Sequence, residues 1–311
     1  YTESLFTRGN INGKQTKAKY GDNMKCPDCS SPSIKKGMRK EKQRYKCSNG
    51  HWFTAEKETH LKRRAIVIPD QHFPLHDQKA VNVVLKAIEL VKPDMFINLG
   101  DVGEWESVSS WKYKKIKQPP LEYQLPIIDV EIDEVNEGID QFDEVLNLVG
   151  CTDKYILAGN HDEWLDAFVQ KYPYMRDYTF RNACKWIERG YKYLPYNKPL
   201  KIGKLTFIHG AYATVYHAKK HLEAYGENII YGHVHDVQRH TLTKLGGTIG
   251  AWSMGCLKDM RSGKNTWLKG RLHNWAHAFA IVDWFTDGNF RVDVVEIHGG
   301  KTTVWGQEIE G

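Results

Sequence analysis

What this chain of 311 residues lacks narrows its identity first. It has no apolar run near the ~20 residues that cross a bilayer, which excludes a helical membrane protein. It has no N-terminal apolar core followed by small residues, so no secretory signal is expected. The sequence opens on Tyr1 rather than Met, which leaves room for a short leader. Cysteine is sparse, with residues at 26, 29, 47, 151, 184 and 256. Three of them cluster and three are scattered, unlike the framework of a disulfide-stapled secreted domain. A reducing, cytoplasmic setting is expected. Internal repeats are absent.

What is present is unevenly charged. Residues 1–63 carry 15 Lys and Arg against 6 Asp and Glu, a balance of +9, and the remainder of the chain sums to −3. All the excess positive charge therefore lies in the first fifth, which points to an acidic partner, nucleic acid first and DNA before RNA. A solvated basic tail is the alternative.

Four segments follow from composition and pattern. Residues 1–24 are polar and aperiodic, a flexible arm. Residues 25–56 are Cys-bearing and basic, with too little apolar surface for a core, so a metal or disulfides must hold them. Residues 57–63 form a charged linker, and 64–311 form the main domain.

Within it, Ala65–Ile68 reads as a buried strand ending in Pro69-Asp70, and Val81, Val84, Leu85, Ile88 and Val91 as one face of a helix stopped by Pro93. Met95–Leu99 is a second strand. Ile128, Ile132, Val135, Ile139, Phe142 and Leu146 mark a long helix lying on a sheet. Strands are expected at 155–158, 205–208 and 228–231, and a hairpin at 278–285 and 290–297 through Asp287-Gly288-Asn289. The alternation predicts a layered α/β core with polar residues at strand ends, where such folds place ligands.

Five motifs follow those strands directly: Asp70-Gln71-His72, Gly100-Asp101, Gly159-Asn160-His161-Asp162, His209-Gly210 and Gly232-His233-Val234-His235. Each alone is ordinary turn chemistry. Together they bring Asp, Asn and His from separate strand ends to one rim. Carboxylate and imidazole donors hold Mn, Fe, Zn or Co without thiolate. A shared carboxylate can hold two cations ~3.5–4 Å apart, which polarise a phosphoryl group and generate hydroxide.

The ordered series resembles the calcineurin-like metallophosphoesterase superfamily over roughly residues 64–300. The resemblance implies a two-sheet β-sandwich flanked by helices. It also implies two divalent ions, Mn2+ first, with Fe, Zn, Co or Ni as alternatives. By it Asp70, His72 and His235 hold one metal and Asn160, His209 and His233 the other, with Asp101 bridging. His161 protonates the leaving oxygen, oriented by Asp162, while metal-bound hydroxide attacks in line. Many members read Gly-Asp-x-x-Asp at the second motif; here Glu104 replaces the last acid. The Asp-Arg-Gly and terminal Glu of the protein-phosphatase branch are missing, and Asn160-His161-Asp162 is closer to nucleases and phosphodiesterases.

Cys26-Pro27-Asp28-Cys29, a seventeen-residue interval, then Cys47-Ser48-Asn49-Gly50-His51 is the spacing of a closed structural zinc site. This segment resembles the zinc ribbons of transposases, with His51 in place of a fourth Cys. Lys35, Lys36, Arg39, Lys40, Lys42 and Arg44 suit a phosphate-tracking loop surface, or a solvated face. Trp105, Trp111, Lys112, Lys114 and Lys115 interleave aromatics with cations, as stacking on unpaired bases requires; a loop pinned to the core by its two Trp is the alternative. The 253–265 loop, with Lys258, Arg261 and Lys264, is a further candidate for the substrate channel. Cys151 and Cys184 read as buried packing.

Three functions fit. The first is a dinuclear-metal nucleic-acid phosphodiesterase, a DNA nuclease of the kind a phage or mobile element carries. The second is a phosphatase or small-nucleotide phosphodiesterase whose ribbon binds protein. The third is an inactive binding protein, which the complete ligand set argues against. Oligomeric state is not legible.

Overall fold

The computed structural model describes residues 25–26, 28–39, 42–55, 61–114, 116–261, 265–269 and 273–311. The arm expected over 1–24, and Lys40 and Lys115 among the proposed nucleic-acid contacts, lie outside them. Contacts divide the chain into two units, Tyr1–Thr59 and His60–Gly311.

In the first unit β1 (Ser33–Arg39), β2 (Lys42–Cys47) and β3 (Trp52–Ala55) form an antiparallel sheet in that order. Tyr45 and Phe53, paired across β2 and β3, stack with ring centroids 5.5 Å apart. Among the described residues of this unit, that pair is most of the apolar packing. Lys35, Lys36, Arg39, Lys42 and Arg44, expected in a loop, lie on β1 and β2 instead.

The second unit runs β4 (Leu61–Ile68), α1 (Gln78–Val91), β5 (Met95–Asn98), α2 (Leu121–Leu148), β6 (Asp153–Leu157), α3 (Asp162–Lys171), α4 (Phe180–Ala183), β7 (Tyr191–Leu194), β8 (Leu200–Ile202) and β9 (Leu205–Ile208). It continues with α5 (His217–Tyr225), β10 (Asn228–Tyr231), β11 (Arg239–Lys244), β12 (Gly247–Ser253), β13 (His277–Phe285), β14 (Phe290–Ile297), β15 (Lys301–Val304) and β16 (Gln307–Glu310). Leu61, Lys62 and Arg63, expected in a linker, are the start of β4.

Six strands in the order β14-β13-β4-β5-β6-β7 form one sheet, and β11-β12-β10-β9-β8 form the other. The run Ala65-Ile66-Val67-Ile68 has no polar alternation because β4 is covered on both faces. Ala65 and Val67 meet Phe207, Ile230 and Trp252 of the second sheet. Ile66 and Ile68 point outward among α1 and α2, which bury Val84, Ile88, Ile128, Ile139 and Phe142 there. On the far side α5 packs Ala218 and Leu222 against Ile229 and Tyr231 of β10. The result is a two-sheet sandwich flanked by helices, as the motif series implied.

Strands β4, β5, β6 and β7 run parallel, as do β9, β10 and β12. Their C-terminal ends therefore gather on one rim. The α1 helix is capped by Asp77, which accepts from the Ala80 amide, and it ends in a left-handed Lys92 before Pro93. No helix among the described residues is long and apolar enough to cross a membrane.

Candidate metal centre

Each strand that ends on the rim turns sharply, and the turns hold the candidate ligands in an unusual backbone conformation. Asp70, His72, Asp101, His233 and His235 have φ of 37°, 53°, 49°, 71° and 68°. Positive φ is uncommon for residues with a side chain, and its clustering marks sites where backbone strain is held by the surroundings. Glycine is obligatory beside them. A Cβ on Gly232 would lie 2.2 Å from Asp70 Oδ2, and one on Gly159 would lie 2.1 Å from Asp101 Oδ1.

The donors converge in two groups. Asp70, His72 and His235 place their ligand atoms within 4.8 Å of one another, as do Asp101, His209 and His233. In the first group His72 Nε2 faces His235 Nε2 at 3.1 Å, and His235 Nε2 is 3.5 Å from Asp70 Oδ1. In the second, His209 Nε2 lies 3.0 Å from Asn160 Oδ1. Asp101 Oδ2 stands between them, 3.7 Å from His72 Nε2 and 3.3 Å from His209 Nε2.

Donors about 2.1 Å from a shared cation must be roughly 3.0–3.4 Å apart, so these separations fit an ion in each group. His233 Nδ1 is also buried with no hydrogen-bond partner, a cost that a ligand bond would remove. The donor set is hard to intermediate, with no thiolate. All seven residues assigned from the motif series are thus brought together.

Outer contacts aim the rings. The Nδ1–H of His209 donates to Leu99 O at 2.9 Å, which turns Nε2 toward Asp101. His72 Nδ1 lies 2.8 Å from Glu104 Oε2, and Lys258 Nζ donates to the same oxygen at 2.6 Å. Lys258 is buried, so the 253–265 loop gives its lysine to the scaffold rather than to a substrate channel. Arg261 pairs with Asp259, and Lys264 lies outside the described residues.

Protonation follows the same geometry. Burial, then the Lys258 charge, pushes His72 down to about 3. Burial alone would also lower His209, but the Asp101 carboxylate beside it raises it to about 9. Burial, then His209, lowers His233 to about 4. Asp101 is held well below the usual carboxylate range, burial being outweighed by the surrounding imidazoles. His72 and His233 are thus kept as neutral imidazoles beside an anionic Asp101, the forms in which these side chains bind a cation.

His161 and Asp162 do not relate as expected. The Nδ1–H of His161 donates to the main-chain carbonyl of Glu104 at 2.9 Å, so Nε2 is the nitrogen left to exchange a proton. Asp162 points elsewhere. Fully buried, it accepts from the amides of Gly159, Val102 and Gly103 and from Trp105 Nε1. It ties the second and third motifs together and does not orient His161. Burial, then the Asp101 charge, pushes it up to about 6 against those donors.

Trp105 is likewise corrected. At 1% exposure it is core, packed on Phe180, and stacks on nothing outside. Trp111 is 71% exposed, with Lys114 Nζ 5.3 Å from its ring centroid, and Lys112 pairs with Glu106. Sequence reasoning missed Trp164, whose ring lies against His161 with centroids 4.0 Å apart. It also missed the buried His217, which bridges the Tyr231 hydroxyl and Asp236, directly after His235. No motif or spacing singles out either residue.

In the first unit Cys26, Cys29, Cys47 and His51 also gather within 4.8 Å. Cys29 and Cys47 sulfurs are 3.7 Å apart, as are Cys26 Sγ and His51 Nδ1. A tetrahedral ion with bonds of about 2.3 Å to sulfur needs edges of roughly 3.7 Å. A hydrogen bond from Ser31 lowers Cys29 to about 6, whereas burial raises Cys26. Beside the cluster, Arg44 lies 4.4 Å over the half-exposed Trp52 ring and Lys46 Nζ 5.5 Å from it. Lys36 is exposed, while the Lys35 and Arg39 side chains lie outside the described set. The six cysteines form no disulfide, and Cys151 and Cys184 are buried.

No family model matches the chain. The Gene 54 protein of Mycobacterium phage L5 is similar, 26% identical over 264 residues that span 79% of this chain and 98% of that protein. The Gene 54 protein of Mycobacterium phage D29 is 26% identical over 266 residues, again 79% of this chain and 98% of its own. Among solved structures, Vps29 of Chaetomium thermophilum aligns with 79% of this chain and 97% of its own length, at TM-score 0.38 and 11% identity.

Proposed function

We propose that the chain is a metallophosphoesterase that hydrolyses phosphodiesters in nucleic acid, DNA before RNA, with two divalent cations of the Mn2+ class. One observation carries the reading: the buried Asp101 carboxylate stands within 3.7 Å of an imidazole nitrogen from each donor group. Two cations held that way would polarise a phosphoryl group and make water nucleophilic near neutral pH.

The residues of the chain divide the remaining work. Asp70, His72 and His235 would hold one ion, and Asn160, His209 and His233 the other. His161, partly exposed and fixed through Nδ1, would hold a proton at Nε2 and pass it to the leaving oxygen. Asp162 and Trp105 keep the His161 loop against the Asp101 loop. The closed Cys26, Cys29, Cys47 and His51 set would hold a structural zinc, and the Arg44, Lys46 and Trp52 face beside it suits a nucleic-acid backbone and an unpaired base. Relatives from two phages support the reading of a phage accessory enzyme.

The test is hydrolysis by the Mn2+-loaded chain of bis-p-nitrophenyl phosphate, p-nitrophenyl phosphate, single- and double-stranded DNA, and RNA. Cleavage of the diester and of a nucleic acid is expected. Monoesterase activity alone would move the reading to a phosphatase whose ribbon binds protein.

A further inference from the structure

A cavity of about 390 Å3 lies between α3 and residues 108–110, 113 and 116–118, with Trp164, which packs on His161, in its wall. Its apolar walls include Tyr113, Ile116, Trp164 and Phe168, and Lys117 and Lys171 stand at its edge. Among the described residues, no carboxylate lines it. We propose that this cavity is a nucleoside subsite that receives the base on the leaving-group side of the scissile phosphate. The proposal rests on the phosphodiester reading and adds to it where the substrate sits and which part is recognised.

Three observations select that occupant. The walls carry flat aromatic rings, which stack on any base face. The edge is cationic, and Lys171 Nζ is met by a neutral Gln118 oxygen at 3.3 Å, so the ligand must be aromatic and anionic together. Size agrees, since small-ligand sites span about 300–1,000 Å3.

Trp164 sets the side. One turn along α3 from His161, its ring lies against the His161 ring with centroids 4.0 Å apart and also forms the cavity wall. A group that fills the cavity therefore lies against the residue that packs on His161, where the leaving-group side of a bound phosphodiester would be.

The N-terminal side of the wall is anchored. Trp105 is buried and donates to Asp162 at 3.0 Å, the Ser107 amide donates to Glu131 Oε1 at 2.9 Å, and Gln124 Nε2 donates to Ser107 O at 2.6 Å. Those bonds reduce the freedom that residues 105–107, which lead into the wall, lose when a ligand enters.

The experiment is calorimetric titration of the full chain, its ribbon zinc left in place and no Mn2+ added, with thymidine 5′-monophosphate and with ribose 5-phosphate. Base stacking predicts that the nucleotide binds at least about tenfold more tightly. Tyr113→Ala and Ile116→Ser remove wall surface without touching His161, and Ile116 is more than half exposed, so its variant keeps the fold. Each is expected to weaken nucleotide binding by about fivefold or more and leave ribose 5-phosphate unchanged. Equal affinity of the two ligands for the parent chain, or an unaltered preference in both variants, overturns the subsite. Either outcome is independent of hydrolysis, because the titration needs neither Mn2+ nor turnover.

Discussion

Glu104 Oε2 lies 2.8 Å from His72 Nδ1, and the buried ammonium of Lys258 holds that same oxygen from the other side at 2.6 Å. The carboxylate fixes which nitrogen His72 turns to the rim, and the lysine balances a charge that the interior would otherwise reject. Glu104→Gln keeps the shape and loses the charge. It is expected to weaken Mn2+ binding in the Asp70, His72 and His235 group by roughly 10–100-fold, read by calorimetry. Lys258→Met strands Glu104 and should cost about 3 kcal/mol of unfolding free energy in urea. The Glu104→Gln, Lys258→Met pair should recover part of that loss; strictly additive losses would disprove the coupling.

His161 and Asp101 separate two roles. Asp101 touches both donor groups and also accepts the His161 amide at 2.8 Å, so Asp101→Asn should lose metal and turnover together. His161→Ala removes only the group proposed to carry the proton. It should bind two equivalents of Mn2+ like the parent chain while losing roughly 10²–10⁴-fold in kcat on bis-p-nitrophenyl phosphate. Equal metal loss in the two variants would refute the role given to His161.

The strands β4, β5, β6, β9 and β10, which carry the motifs, were legible because each is an apolar run broken by Asp, Gly or His. Strands β7, β8, β11 and β12 were not. Tyr191-Lys192-Tyr193-Leu194 mixes a lysine into four residues, and β11 is an exposed edge strand with almost no buried side chain. The ligands could be read because chemistry dictates their residue types. Their supports could not, because neighbours in sequence do not share a direction in space. Asp162 follows His161 yet points into the loop junction. Trp105 sits at φ 49° and turns inward, while Trp111 faces solvent. Lys258 looked like one more loop cation until burial and Glu104 showed its partner.

His221 carries an acid-sensitive contact away from the metal ligands. Its Nδ1–H donates to His217 O at 2.8 Å, its Nε2 accepts from the Ala211 amide at 3.0 Å, and its ring stacks on Tyr231 with centroids 3.8 Å apart. Burial lowers its pKa to about 4, below the unfolded value of about 6.5. Between those values only the unfolded chain takes the proton. The contribution is complete above about pH 6.5 and drains as pH falls toward about 4. Urea unfolding of the metal-free chain at about pH 7.5 and about pH 5 should show a fall that is smaller by about 1–2 kcal/mol in His221→Phe. Parallel falls in the two proteins would contradict a neutral His221.

The sulfur cluster of the first unit should be separable from catalysis. Cys29 and Cys47 sulfurs 3.7 Å apart, with Cys26 and His51 completing the set, leave no side chain that could substitute for a lost ligand among the described residues. Cys29→Ser should therefore release one equivalent of zinc, read by a colorimetric chelator. Among the described residues of that unit the apolar packing is little more than Tyr45 on Phe53, so its sheet is expected to depend on the ion. The Arg44, Lys46 and Trp52 face would disperse with it. Binding to single-stranded DNA should weaken, and the slope of log affinity against log salt should fall, each lost phosphate contact removing about 0.7. Turnover of bis-p-nitrophenyl phosphate, which needs only the second unit, should stay within about twofold of the parent. An unchanged salt slope in a zinc-free Cys29→Ser chain would remove the ribbon from nucleic-acid binding and leave that task to the rim.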